Sequence, residues 1–214
     1  MPTPGAVSDG DAGVLWLATL QRALGRASHD IKDSLNGVSV NLEVIRSRAA
    51  RPDAPASAVA TFAEAAAQQL ERLTSLIEAV LALGRPERDP ADVALTLRRV
   101  ATVCSASSSG SDALVELRAA DDGLGPSTVT RVRGDVVRLA LIAPLLDAVV
   151  GVDRGNRASA VQCIIGGDAA HVLVTIGAPG RRSSMPEPVA AVVRAGGVSW
   201  TEGPHHLSLA FPRA

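Results

Sequence analysis

The sequence predicts an α+β protein in which two long helices precede a domain of mixed helices and strands. Residues 12–49 and 58–83 repeat apolar side chains at intervals of three, four and seven, the period of a helical seam. After about residue 88 this period gives way to short β-rich runs, glycine-containing turns and shorter helical segments. Hairpins join many of these runs, so we expect the second domain to be an α+β sandwich.

The first helix is predicted to follow a polar, disordered tail of residues 1–11. Residues 12 to about 49 contain no proline, and the helix is expected to stop before Pro52 and Pro55 because proline cannot continue it. The apolar seam is narrow and heptad-like. Its members are Leu17, Leu24, Ile31, Leu35, Val38, Leu42 and Ile45.

The second helix is expected to be N-capped by Ser57 and ended by Gly84, with Pro86 beyond it. Two long helices joined by a short turn must pack antiparallel, which makes residues 12–85 a helical hairpin. Neither seam can be covered fully by one partner helix, so a homodimer that forms a four-helix bundle is predicted. The seam of the second helix consists of Ala66, Leu70, Leu73, Ile77 and Val80.

The second domain is predicted to span residues 86–214. We expect a loop at 105–112 and turns at 121–126 and 166–168. The expected helices are 93–103, 134–150 and 188–194, and the expected strands are 113–118, 128–133, 160–165, 171–176, 198–201 and 207–211.

Composition excludes several classes of function. The 214 residues are 47% hydrophobic and carry a formal net charge of −1, which does not favour nucleic acid or an anionic membrane as a partner. No apolar run approaches the roughly 20 residues that a bilayer span needs, and no signal peptide is recognisable, so a cytoplasmic location is expected. Cys104 and Cys163 are isolated, which predicts two buried thiols rather than a metal site or a disulfide.

His29 is the residue of the first helix best suited to chemistry. It lies two positions before the seam residue Ile31, which turns it about 160° away and towards water. A neutral imidazole is a good nucleophile near neutral pH. Asp30 can orient the ring or accept its proton, while Arg26 and Lys32, about one turn away on either side, can pair with phosphate oxygens.

Spacing alone also permits a simpler interpretation of these residues. A single surface histidine on a helix is most often merely solvated, and Asp30 and Lys32 would then be ordinary exposed charges. His171, His205 and His206 are expected to be structural or solvated as well, because they lack further metal ligands nearby.

The stretch HDIKDSLN, residues 29–36, resembles the H-box of histidine kinases, commonly written H-[ED]-x-[KR]-x-P-L-x. The resemblance implies that His29 accepts a phosphoryl group and that Asp30 assists proton transfer. Lys32 matches the basic position and Leu35 the leucine of the motif. Ser34 replaces the usual proline, so the kink of the family is not expected here.

Asp33 departs from the pattern of the family. It stands where kinases with phosphatase activity carry threonine or asparagine, so that activity is not implied. The residues expected to contact the phosphoryl group or a partner protein are Arg26, Lys32, Asp33 and Asn36.

The resemblance extends over most of the chain from about residue 14. Residues 68–83 are similar to the second helix of the dimerisation and phosphotransfer domain of these kinases. Residues 133–150 are similar to the N-box helix of their ATP-binding domain, and residues 194–200 and 207–212 to its last hairpin.

The groups that bind ATP in this family are missing. Pro144 and Ala148 stand where the N-box asparagines align, and neither can ligate a metal; Asp147 alone survives from that pattern. The adenine-binding turn, IGAPG at 176–180, lacks its aspartate, and residues 181–185 lack the glycine-rich phosphate cradle. The resemblance therefore implies a degenerate kinase-like domain without a cofactor, and no autophosphorylation from ATP.

Taken with the H-box, this implies a histidine phosphotransferase of a two-component phosphorelay. His29 would accept the phosphoryl group from the aspartate of a response-regulator receiver, which carries the Mg²⁺, and pass it to another receiver. A hybrid histidine kinase is a further possible partner. Two alternatives stay open at this point: an active sensor histidine kinase with a diverged ATP site, and a non-catalytic dimeric pseudokinase scaffold. The receivers and the direction of phosphate flow cannot be derived from the sequence.

Overall fold

A computed structural model of the chain describes residues 9–51, 55–85, 90–105, 115–120, 127–150, 160–180 and 182–214. Helix α1 spans Asp9–Ala49 and helix α2 spans Ser57–Gly84. They pack antiparallel, as the hydrogen bonds from Asn41 to Gln69 and from Arg48 to the carbonyl of Ala58 show. A β-sheet domain follows, so the predicted α+β class with an N-terminal helical hairpin is confirmed.

The start of each helix differs from the sequence expectation. Helix α1 begins at Asp9, three residues early, so it includes the end of the expected tail; residues 1–8 lie outside the described part of the chain. The prediction that Ser57 caps α2 is wrong. Ala56 holds the N-cap position with helical backbone angles and no side-chain bond, and the N–H of Ala58 bonds to the carbonyl of Pro55 instead. A turn closed by backbone groups thus begins the helix without help from a hydroxyl.

The second domain is built on one five-stranded sheet. Its order is β2-β4-β5-β7-β6, with β2 and β4 parallel and the other neighbours antiparallel, while β1 and β3 form a separate antiparallel pair. Because β2 and β4 are parallel, the chain must cross over between them, and α4 lies in that connection. The elements are β1 Ala91–Asp92, α3 Val93–Ser105, β2 Val115–Ala119, β3 Val129–Thr130, α4 Gly134–Val149, β4 Val161–Gly167, β5 His171–Gly177, α5 Glu187–Ala195, β6 Ser199–Glu202 and β7 His206–Pro212.

These elements match the predicted helices and hairpins closely. The predicted turn at 121–126, and all but the first residue of the loop predicted at 105–112, lie outside the described residues. Along β5 and β7 alternate residues are buried, including Val174, Ile176, Leu209 and Phe211, as expected for a sheet with one face on a core. The core therefore lies between this sheet face and the helices of the domain.

Helix α4 is buried along nearly its whole length. Of its residues only Asp135 and Asp147 are not buried. Such a helix has no solvated face, because α1, α3 and α5 pack against it. Pro144, in the middle of the helix, and Ala148, near its end, are both buried.

The two cysteines are free and buried, as predicted. Burial raises the pKa of the Cys163 thiol to about 12. The pKa of the Cys104 thiol is also raised, first by burial and then by the nearby Cys163. Both side chains therefore behave as small apolar groups of the core.

A buried arginine joins the second domain to the base of the hairpin. Arg138 of α4 is 6% exposed and its Nη1 donates to the carbonyls of Leu83, at 2.9 Å, and Arg85, at 2.6 Å. Its guanidinium also lies over the ring of Trp16 in α1, 5.1 Å from the ring centroid. The carbonyls at the end of α2 have no partner within the helix and carry partial negative charge, which compensates the buried cation. An ion pair on the surface, Arg22 to Asp147 at 2.7 Å, also joins α1 to α4.

None of the helices in the described ranges is both long and apolar enough to cross a membrane.

Candidate functional site

His29 projects from α1 into solvent, with 77% of its side chain exposed. Its Nδ1 lies 2.9 Å from Oδ2 of Asp33, one helical turn later. Residues four apart on a helix face the same side, so this pair follows directly from helical geometry. A carboxylate can only accept a hydrogen bond, so Nδ1 is the donor, and of the two tautomers of a neutral ring this selects the one with the lone pair on Nε2.

Asp30 is part of the same cluster but is not the carboxylate paired with Nδ1. One ligand atom each from His29, Asp30 and Asp33 lies within 4.8 Å of the others, close enough in principle to share a cation. The position of Asp30 next to His29 in the sequence predicted that it could orient the ring or accept its proton. The structure brings Asp33 to the ring, and the four-residue spacing was the signal that could have identified it.

The other predicted contact residues surround His29 on α1. Lys32 and Asn36 are exposed, one and two turns towards the C-terminus. Arg26 is half-buried, and its charge partly opposes the rise in pKa that burial imposes on Cys104 in α3. Arg26 therefore lies on the side of α1 that faces the second domain, whereas Lys32 and Asn36 are directed towards solvent.

The predicted seam is divided between two environments. Some members, such as Ala66 and Leu73, are buried within the chain. Others are between 40% and 56% exposed, among them Leu17 near the start of α1, and Leu81, which the prediction did not include, is 54% exposed. We call the exposed residues from Leu35 onwards the hairpin stripe, and it consists of Leu35, Leu42, Leu70, Ile77 and Leu81.

The two halves of the hairpin stripe lie on the same side of the hairpin. Asn41 and Gln69 mark the faces that α1 and α2 turn towards each other. An α-helix turns about 100° per residue. On each helix the stripe residues therefore lie roughly 100° around the axis from the contact face, in the same rotational direction when the helix is followed from its N-terminus to its C-terminus. In an antiparallel pair this brings both halves to one side, and His29 is rotated roughly 100° the other way.

Comparisons with known proteins give a likeness to solved structures alone. No protein-family model and no curated protein matches the chain. Among solved structures it is similar to the histidine kinase AdeS of Acinetobacter baumannii, with a TM-score of 0.41 and 13% identity. The match covers 86% of this chain and 97% of that one.

The remaining conspicuous polar residues have structural surroundings. His171 Nδ1 lies 3.7 Å from Asp168, at the turn between β4 and β5. Asp168 accepts the backbone N–H groups of Ala170 and His171, and these two bonds lower the pKa of its carboxyl. His205 precedes β7 and is exposed. Asp147, the survivor of the N-box pattern, pairs with Arg22 across the junction.

Proposed function

We propose that this protein is a histidine phosphotransferase of a two-component phosphorelay, in which Nε2 of His29 accepts a phosphoryl group from a receiver aspartate and passes it on. The observation that carries the proposal is the exposed imidazole paired with Asp33 through Nδ1. That pairing leaves the Nε2 lone pair as the nucleophile and directs it away from the carboxylate. An incoming phosphoryl group needs such an unobstructed, in-line approach.

The second domain supports docking of a folded partner. Arg22, which pairs with Asp147 of α4, lies seven residues before His29, or about 10 Å along the helix axis. A receiver centred on His29 would therefore also meet the second domain. Such a receiver would supply Mg²⁺ with its aspartate, while Lys32, one turn from His29, would pair with phosphate oxygens and Asn36, two turns away, would contact the partner. The reaction belongs in the cytoplasm, where receivers act.

The packing of α4 supports a phosphoryl source other than ATP. The helix that resembles the N-box carries Pro144 and Ala148 at the aligned asparagine positions, and both are buried. Metal and phosphate ligands would have to project from a solvated face of this helix. We therefore propose that the second domain serves as a docking platform, and that the phosphoryl group arrives from a receiver, such as that of a hybrid kinase.

The hairpin stripe supports a homodimer. Five large aliphatic side chains on one side of two helices form a surface that a second copy would cover by two-fold symmetry. The result is a four-helix bundle. Because His29 is rotated away from the stripe, dimerisation would leave both phosphoacceptor sites accessible.

Phosphoryl transfer from a ³²P-labelled receiver tests the proposal. We expect acid-labile label on the wild type and none on His29→Ala. The control is His205→Ala, which removes another exposed histidine and should be labelled like the wild type. ATP alone should give no label. Label from ATP would instead identify an active kinase. Binding of a receiver that is unchanged in His29→Ala, with no transfer to any receiver, would identify a scaffold.

Sedimentation velocity tests the dimer separately. Ile77 and Leu173 are 40% and 38% exposed, but only Ile77 lies on the hairpin stripe, whereas Leu173 lies on the sheet. We expect Ile77→Asp to convert a dimer to monomer and Leu173→Asp to leave the dimer intact. A monomeric wild type at micromolar concentration would overturn the dimer proposal.

A further inference from the structure

We infer that Asp33 is a positioning residue that keeps a proton on Nδ1 of His29 throughout each phosphoryl transfer, so that His29 acts as a rapidly discharged carrier. This inference rests on the proposed phosphotransferase function. It assigns to Asp33 a role that the H-box resemblance does not imply, since this position of the motif is variable and carries threonine or asparagine in kinases with phosphatase activity.

The geometry separates the two carboxylates beside the ring. Asp33 Oδ2 is 2.9 Å from Nδ1 and lies one turn away on the same helix face. Asp30 is the next residue in sequence, rotated about 100° around the axis, and neighbours at that spacing do not face each other. Asp30 is also half-buried. Asp33 is therefore the better placed of the two carboxylates to accept a direct hydrogen bond from Nδ1–H.

The loading step then needs no base. The Nε2 lone pair of His29 attacks the phosphorus of the receiver aspartyl phosphate, and an N–P bond forms. The bond between phosphorus and the carboxyl oxygen breaks, and its electron pair leaves with the receiver aspartate as a carboxylate. The Nδ1 proton stays where it is, and the ring becomes a cation whose charge is compensated by Asp33.

The discharge step is the reverse, with a second receiver carboxylate as nucleophile. The N–P bond breaks and its electron pair returns to Nε2, so the departing group is neutral imidazole. Without Asp33, the phosphorylated ring can lose its Nδ1 proton to water. The departing group would then be an imidazolate anion, which is a far poorer leaving group, and the phosphoryl group would be retained on His29.

Discharge kinetics of Asp33→Asn and Asp30→Asn test this. Asparagine keeps an oxygen that can accept from Nδ1–H but removes the charge that compensates the cation. Each protein is loaded chemically with phosphoramidate and then mixed with an unphosphorylated receiver. We expect Asp33→Asn to slow discharge by about tenfold, the difference between a charged and a neutral hydrogen bond, and Asp30→Asn to change it by less than about threefold. Asp33→Glu should recover part of the wild-type rate.

Nitrogen-15 NMR of the histidine rings supplies a readout that a merely structural role would not change. In unphosphorylated wild type we expect His29 in the Nδ1–H tautomer, and after loading we expect phosphorus on Nε2 with Nδ1 still protonated. A wild-type ring that has lost that proton, or equal discharge rates for Asp33→Asn and wild type, would overturn the inference while leaving the phosphotransferase intact. Failure of the wild type to discharge to any receiver would overturn both.

Discussion

The hairpin and the second domain differ in where they keep their apolar side chains. The largest fully buried side chains lie almost entirely in the second domain, in α3, α4 and the sheet; Leu83, at the end of α2, is the exception among the described residues. The hairpin instead exposes the five residues of its stripe. The core is thus centred on the second domain and extends only to the base of the hairpin, whereas the outer part of the hairpin needs another surface to cover it.

This difference has a functional consequence. A phosphoacceptor must be reachable by a folded partner, and a long helix with one solvated side provides that access at His29. A buried, well-packed domain is suited to hold the base of that helix still. Arg138 connects the two regions, because it bonds to the carbonyls at the end of α2 from inside α4.

The largest effect is expected where the two regions join. Arg138→Ala removes a buried cation, leaves the carbonyls of Leu83 and Arg85 without this donor, and exposes the face of Trp16. We expect it to lower the free energy of unfolding by about 3–5 kcal/mol, measured by urea denaturation. Arg133→Ala, which removes an exposed pair with Asp135, is the matched control and should cost under about 1 kcal/mol. Equal losses for the two variants would mean that the domains are not joined through Arg138.

Matched leucine truncations test the difference in packing itself. Leu139 of α4 is 1% exposed and Leu35 of the stripe is 49% exposed. Leu139→Ala should cost about 3 kcal/mol, since it leaves a cavity. Leu35→Ala should cost under about 1 kcal/mol at concentrations where the protein is monomeric, and more as the concentration is raised. Similar costs at every concentration would show that the hairpin is packed like the second domain.

Alkaline pH should destabilise the second domain through its thiols. Burial raises the pKa of Cys163 from 9.0 to about 12, so the folded state keeps a proton that the unfolded state releases. This contribution to stability is complete below pH 9 and is lost as the pH rises from 9 to 12, by up to about 1.4 kcal/mol per pH unit. The chain has no tyrosine and one lysine, so few other groups titrate there. Urea denaturation should show a shallower decline for Cys163→Ala, and an unchanged slope would contradict the assignment.

The smallest effect is expected at the surface ion pair between the two regions. Arg22 and Asp147 are 57% and 48% exposed, so solvent screens their 2.7 Å contact. Asp147→Ala should therefore change the free energy of unfolding by under about 1 kcal/mol, and that small change should vanish in 1 M salt. A loss of unfolding free energy comparable to that of Arg138→Ala would mean that this ion pair, rather than Arg138, holds the hairpin to the second domain.

Several parts of the fold and site follow from local sequence alone. The heptad-like seams predict both long helices, and the alternating runs predict the β4–β5 and β6–β7 hairpins. The exposure of His29 follows from its position relative to Ile31. These predictions depend on residues close in sequence, and helical and strand periods are local properties.

Long-range packing decided the rest. The sequence could not indicate which seam residues would be buried within the chain, since Leu73 is 5% exposed whereas Ile77, one turn later on the same helix, is 40% exposed. Arg138 acts on a carbonyl 55 residues away, and no local pattern marks that partner.

The sequence by itself determined the helices, the strands and a nucleophile facing water, because backbone preference and side-chain period act within a few residues. Only the tertiary structure decided that Arg138 of α4 would bond to the carbonyls at the C-terminal end of α2, and that only part of each seam would be buried within the chain. These outcomes depend on which side chains and backbone groups are brought together in space. Packing between elements and side-chain rotamers decide this, and a linear pattern specifies neither.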